Sequence, residues 1–242
     1  MLDSRRLAAF EALAIGPAWQ PRTTPRASES SIPVPGDAAV SETAPAERWV
    51  ELAAAVERCR ACALGASRQR AVFGCGSTSA RWMLIGEAPG AEEDRLGEPF
   101  VGRAGSLLDA MLVAAGLDRA RDVYIANILK CRPPANRNPE PDEVARCEPH
   151  LHQQIRLLMP SLLVLMGRFA AQTLLGTEAS IASLRGRVHT VAIGELRMPA
   201  IVSYHPAYLL RNPADKRLAW ADWCLARHEM GKIEAGDALL QA

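Results

Sequence analysis

The sequence predicts an α/β fold, a three-layer α/β/α sandwich around a central, mainly parallel sheet of four strands. Two observations support this fold class: four short apolar runs have the character of strands, and helical stretches separate them. Strands that alternate with helices form βαβ units, whose helices cover both faces of a parallel sheet. With 242 residues, the chain is long enough for one such domain with extensions.

The first 46 residues are predicted to lie outside this domain. The stretch LDSRRLAAFEALAIG has the pattern of a short amphipathic helix, and residues 16–46 are rich in Pro, Ser, Thr and Ala. Such a composition buries too little apolar area to offset the entropy lost when a backbone is ordered. We therefore expect an N-terminal extension, residues 1–46, that ends in a flexible linker.

The folded domain is predicted to span residues 47–231. It opens with a helix in ERWVELAAAVERCRAC, where apolar residues recur at helical spacing. Strands are expected in RWMLIGE, VYIANIL, SLLVLMG and MPAIVSYH, and helices between them in AGSLLDAMLVAAG, PDEVARCEPHLHQQIRLLM and RFAAQTLLG. A closing helix fits ADKRLAWADWCLARHEM, and residues 232–242 are expected to form a C-terminal tail.

The composition excludes several classes of protein. Apolar residues make up 49% of the chain and charged residues 23%, which is typical of a globular protein. The net charge is +1, so binding to a polyanion would need a local patch rather than overall basicity. No apolar run approaches the roughly 18 residues of a membrane span, and the N-terminus lacks the order of a secretory signal. We therefore expect a cytoplasmic protein that makes no membrane contact.

Three of the predicted strands end at a residue that forms hydrogen bonds. Glu87 follows the first strand, Asn127 ends the second and His205 follows the last. The carboxyl ends of parallel strands lie along one edge of the sheet, where ligands bind in open α/β folds. Each of these residues alone is more often a turn or cap residue, but together they indicate a shared site.

Four of the six cysteines occur in two pairs, one a C-x-x-C and one separated by sixteen positions: Cys59 with Cys62, and Cys131 with Cys147. In a reducing compartment such cysteines indicate metal or redox chemistry rather than disulfides. Four thiolates without an adjacent histidine suit structural zinc or an iron–sulfur cluster, and their spacing also allows plain buried thiols. Cys75 and Cys224 have no partner at ligand spacing and are expected to be ordinary buried or half-buried thiols.

Five motifs, in order, resemble those of the family 4 uracil-DNA glycosylases, the iron–sulfur branch of that superfamily. They are GEAPGAEED, PFVGRAG, NILKCRPPANRNP, ARCEPHL and YHPAYLLRNP, and the resemblance covers residues 47–230. It implies an α/β/α sandwich and a DNA repair enzyme that flips uracil out of single- or double-stranded DNA. The enzyme would hydrolyse the N-glycosidic bond and leave an abasic site. The resemblance also implies a monomer with a 4Fe–4S cluster that organises loops and is held by Cys59, Cys62, Cys131 and Cys147.

The same resemblance assigns roles to the base-binding residues. Phe100 matches the aromatic residue on which the flipped base stacks, and Asn127 matches the amide that reads its Watson–Crick edge. His205 matches the residue that donates to O2 as negative charge develops on the base. Glu93 matches the acid that crowds the C5 edge of uracil and excludes the methyl group of thymine.

The turn after the first strand departs from the best-known uracil-DNA glycosylases, those of family 1. They carry an aspartate that positions the attacking water, and here that position is Ala88. Glu87 is the family's acid at this turn, and two roles stay open for it: acting on water or on the charge of the sugar, or holding the loop. Gly86 and Ala88 are expected to contact the uracil.

The last motif is expected to enter the duplex, with Leu209 or Leu210 as an apolar wedge in the space that the base vacates. Ser106 and Gly105 open a helix, where backbone N–H groups bind phosphate. Further phosphate contacts are expected from polar side chains at the same edge: Tyr208, Arg211, Lys216, Arg217, Arg132 and Arg137.

Two other functions stay open. One is a catalytically weak or inactive DNA-binding iron–sulfur module beside replication or repair proteins, and the other is a small electron carrier. The presence of Phe100, Asn127 and His205 argues against both. A related branch traps DNA covalently through a histidine in a loop after the strand that bears the asparagine, and residues 131–146 contain no histidine. We therefore predict a monofunctional hydrolase that turns over.

Overall fold

The structure of the protein, a computed structural model, describes residues 45–240. Its fold is a six-stranded sheet between two layers of helices. The predicted N-terminal extension lies outside the described residues, except for its last two positions. The described chain thus corresponds to the predicted domain and most of the predicted C-terminal tail.

The sheet has the strand order β1-β3-β2-β4-β6-β5. Its strands are β1 (Cys75–Gly76), β2 (Trp82–Gly86), β3 (Val123–Asn127), β4 (Leu162–Met166), β5 (Val188–Ile193) and β6 (Leu196–Ser203). The four middle strands are parallel, as predicted from the four apolar runs. The prediction of four strands in all was wrong, because β1 and β5 pair antiparallel at the two edges.

Nine α-helices of the described residues are arranged around this sheet, with single 3₁₀ turns at Pro134–Asn136 and Pro213–Asp215. Eight of them precede the closing region: α1 (Pro45–Arg58), α2 (Leu64–Ser67), α3 (Ala91–Leu96), α4 (Arg103–Ala114), α5 (Pro141–Leu158), α6 (Arg168–Leu175), α7 (Ile181–Leu184) and α8 (Pro206–Arg211). The ninth helix, α9 (Lys216–Leu240), closes the domain.

The closing helix differs from its predicted length. It runs from Lys216 to Leu240, so residues 232–240, which were predicted as a tail, continue the helix. The predicted helix ended at Met230 because the apolar spacing weakens beyond that residue. None of the helices within residues 45–240 is long and apolar enough to cross a membrane.

The two faces of the sheet bury separate clusters of apolar side chains. Successive residues of a strand point to opposite faces, so Met83 and Ile85 pack on one side of β2 while Trp82 and Leu84 pack on the other. The first cluster includes residues of α1, α5 and α6, and the second includes residues of α4 and α9. The predicted three-layer sandwich is therefore confirmed.

The register of the parallel strands fixes where the functional residues lie. Gly86 pairs with Asn127 across β2 and β3, and Met166 pairs with Ser203 across β4 and β6. These strands therefore end at nearly the same level. The residues that follow them come together at the carboxyl edge of the sheet, as open α/β folds require of a ligand site.

Candidate base-binding site

The carboxyl ends of β2, β3 and β6 open into one cavity of about 740 Å³, which we call the base cavity. Glu87 follows β2, Asn127 ends β3 and His205 lies two residues beyond β6, and all three line this cavity. Phe100, from the loop between α3 and α4, lines it as well. The structure thus brings together the four residues that the sequence singled out for base binding and bond cleavage.

Phe100 forms a rigid wall of the cavity. Its side chain is 6% exposed, and its φ of 55° lies in the left-handed region that bulky residues rarely adopt. A Cβ atom on Gly105 would collide with the carbonyl group of Phe100, so the start of α4 can approach this loop only with glycine. The backbone around Phe100 is therefore held in a strained conformation by close neighbours.

Gly86 allows Phe100 and Asn127 to approach β2 together. A Cβ atom at Gly86 would collide with Asn127 Oδ1 and would lie 2.7 Å from Phe100 Cζ. Such contacts are far closer than packed atoms tolerate, so any side chain here would displace both residues. Gly86 is itself buried, and its role is to leave room for the two side chains.

Asn127 presents a buried polar atom to the cavity. The residue is 2% exposed, and among the described residues its Oδ1 atom has no hydrogen-bond partner. A buried amide oxygen without a partner is unfavourable, which makes it suited to a ligand that carries an N–H group. Its side-chain amide also supplies donors, so the residue can read a donor and an acceptor that lie side by side.

His205 is fixed as a neutral hydrogen-bond donor. Its Nδ1 atom accepts from the backbone N–H of Ala207 at 3.1 Å and so caps the start of α8. With Nδ1 as the acceptor, the hydrogen of the neutral ring lies on Nε2. Burial and, to a lesser extent, the charge of Arg211 lower the pKa of His205 to about 4. The ring is partly stacked on that of Phe100, with centroids 5.4 Å apart and planes 29° apart.

Glu87 is a half-buried acid beside a cation. Burial raises the pKa of its carboxyl group, and the nearby Arg168 opposes this shift. The backbone carbonyl of Glu87 accepts from the N–H of Leu129 at 3.0 Å, which ties the turn after β2 to the turn after β3. Ala88 also lines the cavity, and its methyl group packs against the core. Both of the roles that the sequence left open for Glu87 remain predictions.

Glu93 organises the loop that carries the aromatic wall. One carboxylate oxygen accepts from the N–H of Gly90 at 3.1 Å, and the other accepts from Val101 and Gly102 at 3.2 Å each. The side chain of Glu93 also lines the cavity. Its expected exclusion of the methyl group of thymine remains a prediction. The hydrogen bonds show a second task, which is to close the loop around Phe100.

The predicted wedge helix, α8, offers only one of its two leucines. Leu209 is 1% exposed, so its assignment as a possible wedge was wrong, because the side chain packs inside the protein. Leu210 is only partly buried and stays available. Tyr208 lines the cavity, but its hydroxyl group donates to Asp215 at 2.6 Å and its ring stacks on that of Tyr204.

The start of α4 differs in detail from the predicted phosphate site. The N–H of Ser106 donates to the carbonyl oxygen of Gly102 at 3.0 Å, so it is already used within the helix. The prediction of a phosphate contact through this N–H group was therefore wrong. The N–H groups without an intrahelical acceptor at a helix start are those of the preceding positions, residues 103–105. The side chain of Ser106 is exposed.

The predicted arginine and lysine contacts divide into committed and exposed groups. Arg137 donates to both carboxylate oxygens of Glu143, at 2.9 and 2.6 Å, and so belongs to the protein's own hydrogen-bond network. Arg137 also lines the cavity, and its expected contribution to a phosphate patch remains a prediction. Arg211 is exposed at the rim of the cavity, and Lys216 and Arg217 are exposed at the start of α9.

A second cavity, which we call the cysteine cavity, lies near the end of α1. It is lined by four cysteines: Cys59, Cys62, Cys131 and Cys147. Two N–H groups donate to their sulfur atoms: Arg68 Nη1 to Cys131 Sγ at 2.8 Å, and the backbone of Lys130 to Cys147 Sγ at 3.3 Å. Burial raises the pKa of Cys147 to about 11. Within residues 45–240, no group of three or more His, Cys, Asp or Glu side chains is arranged to hold a single metal ion.

Arg68 connects the chain segments that carry these cysteines. Besides Cys131 Sγ, its guanidinium group donates to the backbone carbonyls of Val56, at 3.1 Å, and Glu57, both in the last turn of α1. Cys59 and Cys62 follow that turn directly. The arginine therefore ties the first pair of cysteines to the segment after β3.

The two remaining cysteines differ in their surroundings. Cys75 is half-buried, as expected, and burial raises the pKa of its thiol to about 11. Cys224 is exposed on α9, so the expectation of a buried or half-buried thiol was wrong there. Cys224 faces solvent because it lies on the side of α9 away from the sheet.

Sequence reasoning missed two residues of the site region. Arg168 opens α6 two residues after β4 and lines the base cavity, so a search for polar residues at the end of the third predicted strand, SLLVLMG, would have found it. Lys130 is 1% exposed between the two cavities. The sequence carries no signal for its burial, since lysine is normally a surface residue.

Comparison with known proteins agrees with this geometry. A model of the uracil DNA glycosylase superfamily matches residues 73–225. The type-4 uracil-DNA glycosylase of Archaeoglobus fulgidus is 45% identical over 159 residues, which cover 64% of this chain and 79% of that protein. The type-4 enzyme of Thermotoga maritima is 42% identical over 162 residues (66% and 82%), and that of Pyrobaculum aerophilum is 40% identical over 163 residues (66% and 83%). The chain therefore belongs to the uracil DNA glycosylase superfamily and, within it, to the type-4 enzymes.

Proposed function

We propose that this protein is a DNA repair glycosylase that flips uracil out of DNA and hydrolyses its N-glycosidic bond. The observation that carries the proposal is one cavity lined by Phe100, Asn127 and His205: an aromatic wall, an amide oxygen that has no partner within residues 45–240, and a neutral imidazole. The products are free uracil and an abasic site. We further propose that the enzyme acts as a cytoplasmic monomer, in a compartment that keeps its cysteines reduced.

The base is held by stacking and read by an amide. Extruding a nucleotide from the stack costs a few kcal/mol, and stacking a base on an aromatic ring such as Phe100 returns about 1–3 kcal/mol. Uracil presents an N3–H donor beside the O4 acceptor, and the amide of Asn127 can match both. Cytosine presents the reverse pattern, an acceptor beside a donor, and would leave buried polar groups unpaired.

Bond cleavage leaves negative charge on the uracil and positive charge on the sugar. The Nε2–H group of His205 is the proposed donor to uracil O2, where the negative charge develops. A neutral imidazole stabilises this charge without a proton transfer, and its low pKa keeps it neutral at physiological pH. Glu87 is the proposed partner of the attacking water or of the sugar's positive charge.

The four cysteines of the second cavity are the proposed ligands of a 4Fe–4S cluster. Their number and chemistry fit such a group, and the N–H donors on two of the sulfurs fit thiolate ligands. A cluster of several irons also accords with ligands that surround a space rather than one point. When bound, it would cross-link the end of α1, the segment after β3 and α5.

The DNA face is proposed to follow the rim of the base cavity. Leu210 is the proposed wedge, since it is the more accessible of the two leucines on α8. Arg211, Lys216 and Arg217 are exposed beside it and are the proposed phosphate contacts. Such a local patch accords with a net charge of only +1 for the whole chain.

The decisive experiment measures free uracil. Cluster-loaded protein is incubated with a single-stranded oligonucleotide that contains one uracil, and with matched oligonucleotides that carry cytosine or thymine there. The proposal expects release of uracil alone and an alkali-sensitive abasic site. Binding of the oligonucleotide without any release of uracil would instead support a DNA-binding module without activity.

A further inference from the structure

Lys130 lies on the short segment that joins the two cavities. Asn127, which lines the base cavity, and Cys131, which lines the cysteine cavity, are only four residues apart in the chain. Lys130 lies between them, is 1% exposed and is among the largest fully buried side chains of the described residues. A buried lysine needs specific partners, because the ammonium group loses its hydration.

The hydrogen bonds of Lys130 reach both cavities. Its backbone N–H donates to Cys147 Sγ at 3.3 Å, and its side-chain Nζ donates to the backbone carbonyl of Asn127 at 2.8 Å. A further bond runs from Nζ to Gln154 Oε1 at 2.6 Å. Gln154 is held in turn by its own donor bonds to the carbonyl oxygen of Phe73 and the hydroxyl oxygen of Tyr124.

The charge of Lys130 has no carboxylate partner among the ion pairs of residues 46–237. Both acceptors of its ammonium group are neutral oxygens. Lys130 itself lines the cysteine cavity, together with Cys131 and Cys147. A buried cation is strongly unfavourable unless an anion compensates it, and deprotonated, metal-bound cysteines would supply that anion.

We infer that Lys130 couples the cysteine-bound cluster to the base-reading end of β3. Its ammonium group is the counter-ion of the ligand thiolates, and the same group holds the backbone of Asn127 in place. Lys130 is thus a positioning residue, which acts on uracil only through Asn127. This inference rests on the proposed function and on the proposed cluster.

The test compares two lysines of the same chain. Lys130→Met removes the buried ammonium group but keeps the backbone N–H on Cys147, whereas Lys232→Met removes an exposed lysine of α9 as the matched control. Gln154→Met disturbs the packing around Lys130 and leaves the charge in place. Each protein is assayed for iron and sulfide content, for the reduction potential of the cluster, and for single-turnover release of uracil.

The expected result separates charge from packing. Lys130→Met has a more negative reduction potential than the parent protein and Lys232→Met, because a cation near a cluster favours its reduced form. Uracil release slows about 10- to 100-fold, since a displacement of a binding group by about 1 Å has an effect of this size. Gln154→Met keeps the parent potential. An unchanged potential in Lys130→Met overturns the inference, even if uracil release slows.

A second variant covers the case in which Lys130→Met does not fold. Lys130→Gln retains an N–H donor for the carbonyl of Asn127 but lacks the charge. It should therefore shift the reduction potential as Lys130→Met does, but slow uracil release less than Lys130→Met. A parent-like potential in this variant overturns the inference. If both variants lose the cluster, its retention in Gln154→Met supports a requirement for the charge, and its loss there overturns that requirement.

Failure of the proposed function is recognised independently. If the cluster-loaded parent protein releases no uracil, the glycosylase assignment fails, while the reduction potentials still test the pairing of Lys130 with the thiolates. If the parent protein is active but its potential does not respond to Lys130, only the coupling fails.

Discussion

The cysteine cavity and the base cavity lie at the two ends of residues 127–131, but they differ in whether their polar atoms have hydrogen-bond partners. In the cysteine cavity, N–H groups of Arg68 and Lys130 already donate to the sulfur atoms. In the base cavity, Asn127 Oδ1 is buried without a partner among the described residues. This difference accords with the two proposed ligands, a permanent cluster in the first cavity and a transient base in the second, because a buried polar atom without a partner is unfavourable until a ligand binds. Substitutions should therefore affect stability in the first region and activity in the second.

The largest expected effect is that of His205→Asn. Loss of a donor aimed at developing charge should lower the rate of uracil release by about 10²–10³-fold. Asparagine still caps α8, so the melting temperature should stay close to that of the parent protein. Single-turnover kinetics and thermal unfolding check this, with His228→Asn, on the exposed side of α9, as the control. A large fall in melting temperature would place His205 with the structural residues instead.

Asn127→Ala sharpens the comparison through stability. Uracil release should fall by about 10- to 100-fold, which corresponds to roughly 1–3 kcal/mol for one lost reading interaction. The free energy of unfolding should change little, because the substitution removes an unpartnered buried oxygen. Gln154→Met removes a buried amide whose hydrogen bonds are made, and it should lower that free energy by about 1–3 kcal/mol. Denaturant unfolding measures both, and equal losses of stability would contradict the contrast between a buried amide oxygen without a partner and a buried amide whose hydrogen bonds are made.

The two leucines of α8 test the boundary between interior and DNA face. Leu209→Ala should lower the free energy of unfolding by about 2–5 kcal/mol, because it empties a buried site. Leu210→Ala should leave stability unchanged and slow uracil release from duplex DNA more than from single strands. Thermal unfolding and the ratio of the two release rates check this prediction. A duplex-specific defect in a stably folded Leu209→Ala protein would reverse the assignment.

The pH dependence of uracil release separates the two titratable groups of the base cavity. His205 has a pKa lowered to about 4, so its neutral, donating form persists as the pH falls through 6.5 and is lost only near pH 4. The pKa of Glu87 is raised, so an acid limb at a pH above its ordinary value of 4.5 would report loss of its carboxylate. Glu87→Gln should abolish that limb while leaving the one near pH 4. Single-turnover rates between pH 4 and 8 measure both, and a limb at 6.5 that persists in Glu87→Gln would contradict the state assigned to His205.

The smallest expected effect is that of Arg211→Gln on DNA binding. Loss of one phosphate contact should reduce the slope of log affinity against log salt by about 1. Titrations at several salt concentrations measure it. Arg121→Gln, an exposed arginine at the opposite edge of the sheet, serves as the control and should leave the slope unchanged.

The parallel strands and the strand-end residues could be predicted from the sequence, because a buried strand is a continuous apolar run and its end fixes the next residue's position. The edge strands could not be predicted in this way. β1 has only two residues, and β5 alternates exposed and less exposed positions that its sequence, VHTVAI, does not mark by alternating polar and apolar residues. Local patterns carry little signal for such edges, which depend on pairing with distant segments.

At the level of single side chains, the sequence predicted residue types better than their surroundings. Nothing in the motif distinguishes Leu209 from Leu210, since only the rotation of α8 against the core buries one of them. Arg137 reads as a surface cation, and its pairing with Glu143 depends on how the loop folds back onto α5. The burial of Lys130 likewise depends on segments far apart in the chain.

The left-handed backbone of Phe100 has a consequence for how a base is received. Glu93 and Gly105 fix this loop through contacts made within the protein, so the shape of the stacking face is set during folding. Little conformational entropy of the protein then remains to be lost when a base arrives. The proposed recognition of a base at this wall would therefore be preorganised, and the motion needed for binding would fall mainly on the nucleotide.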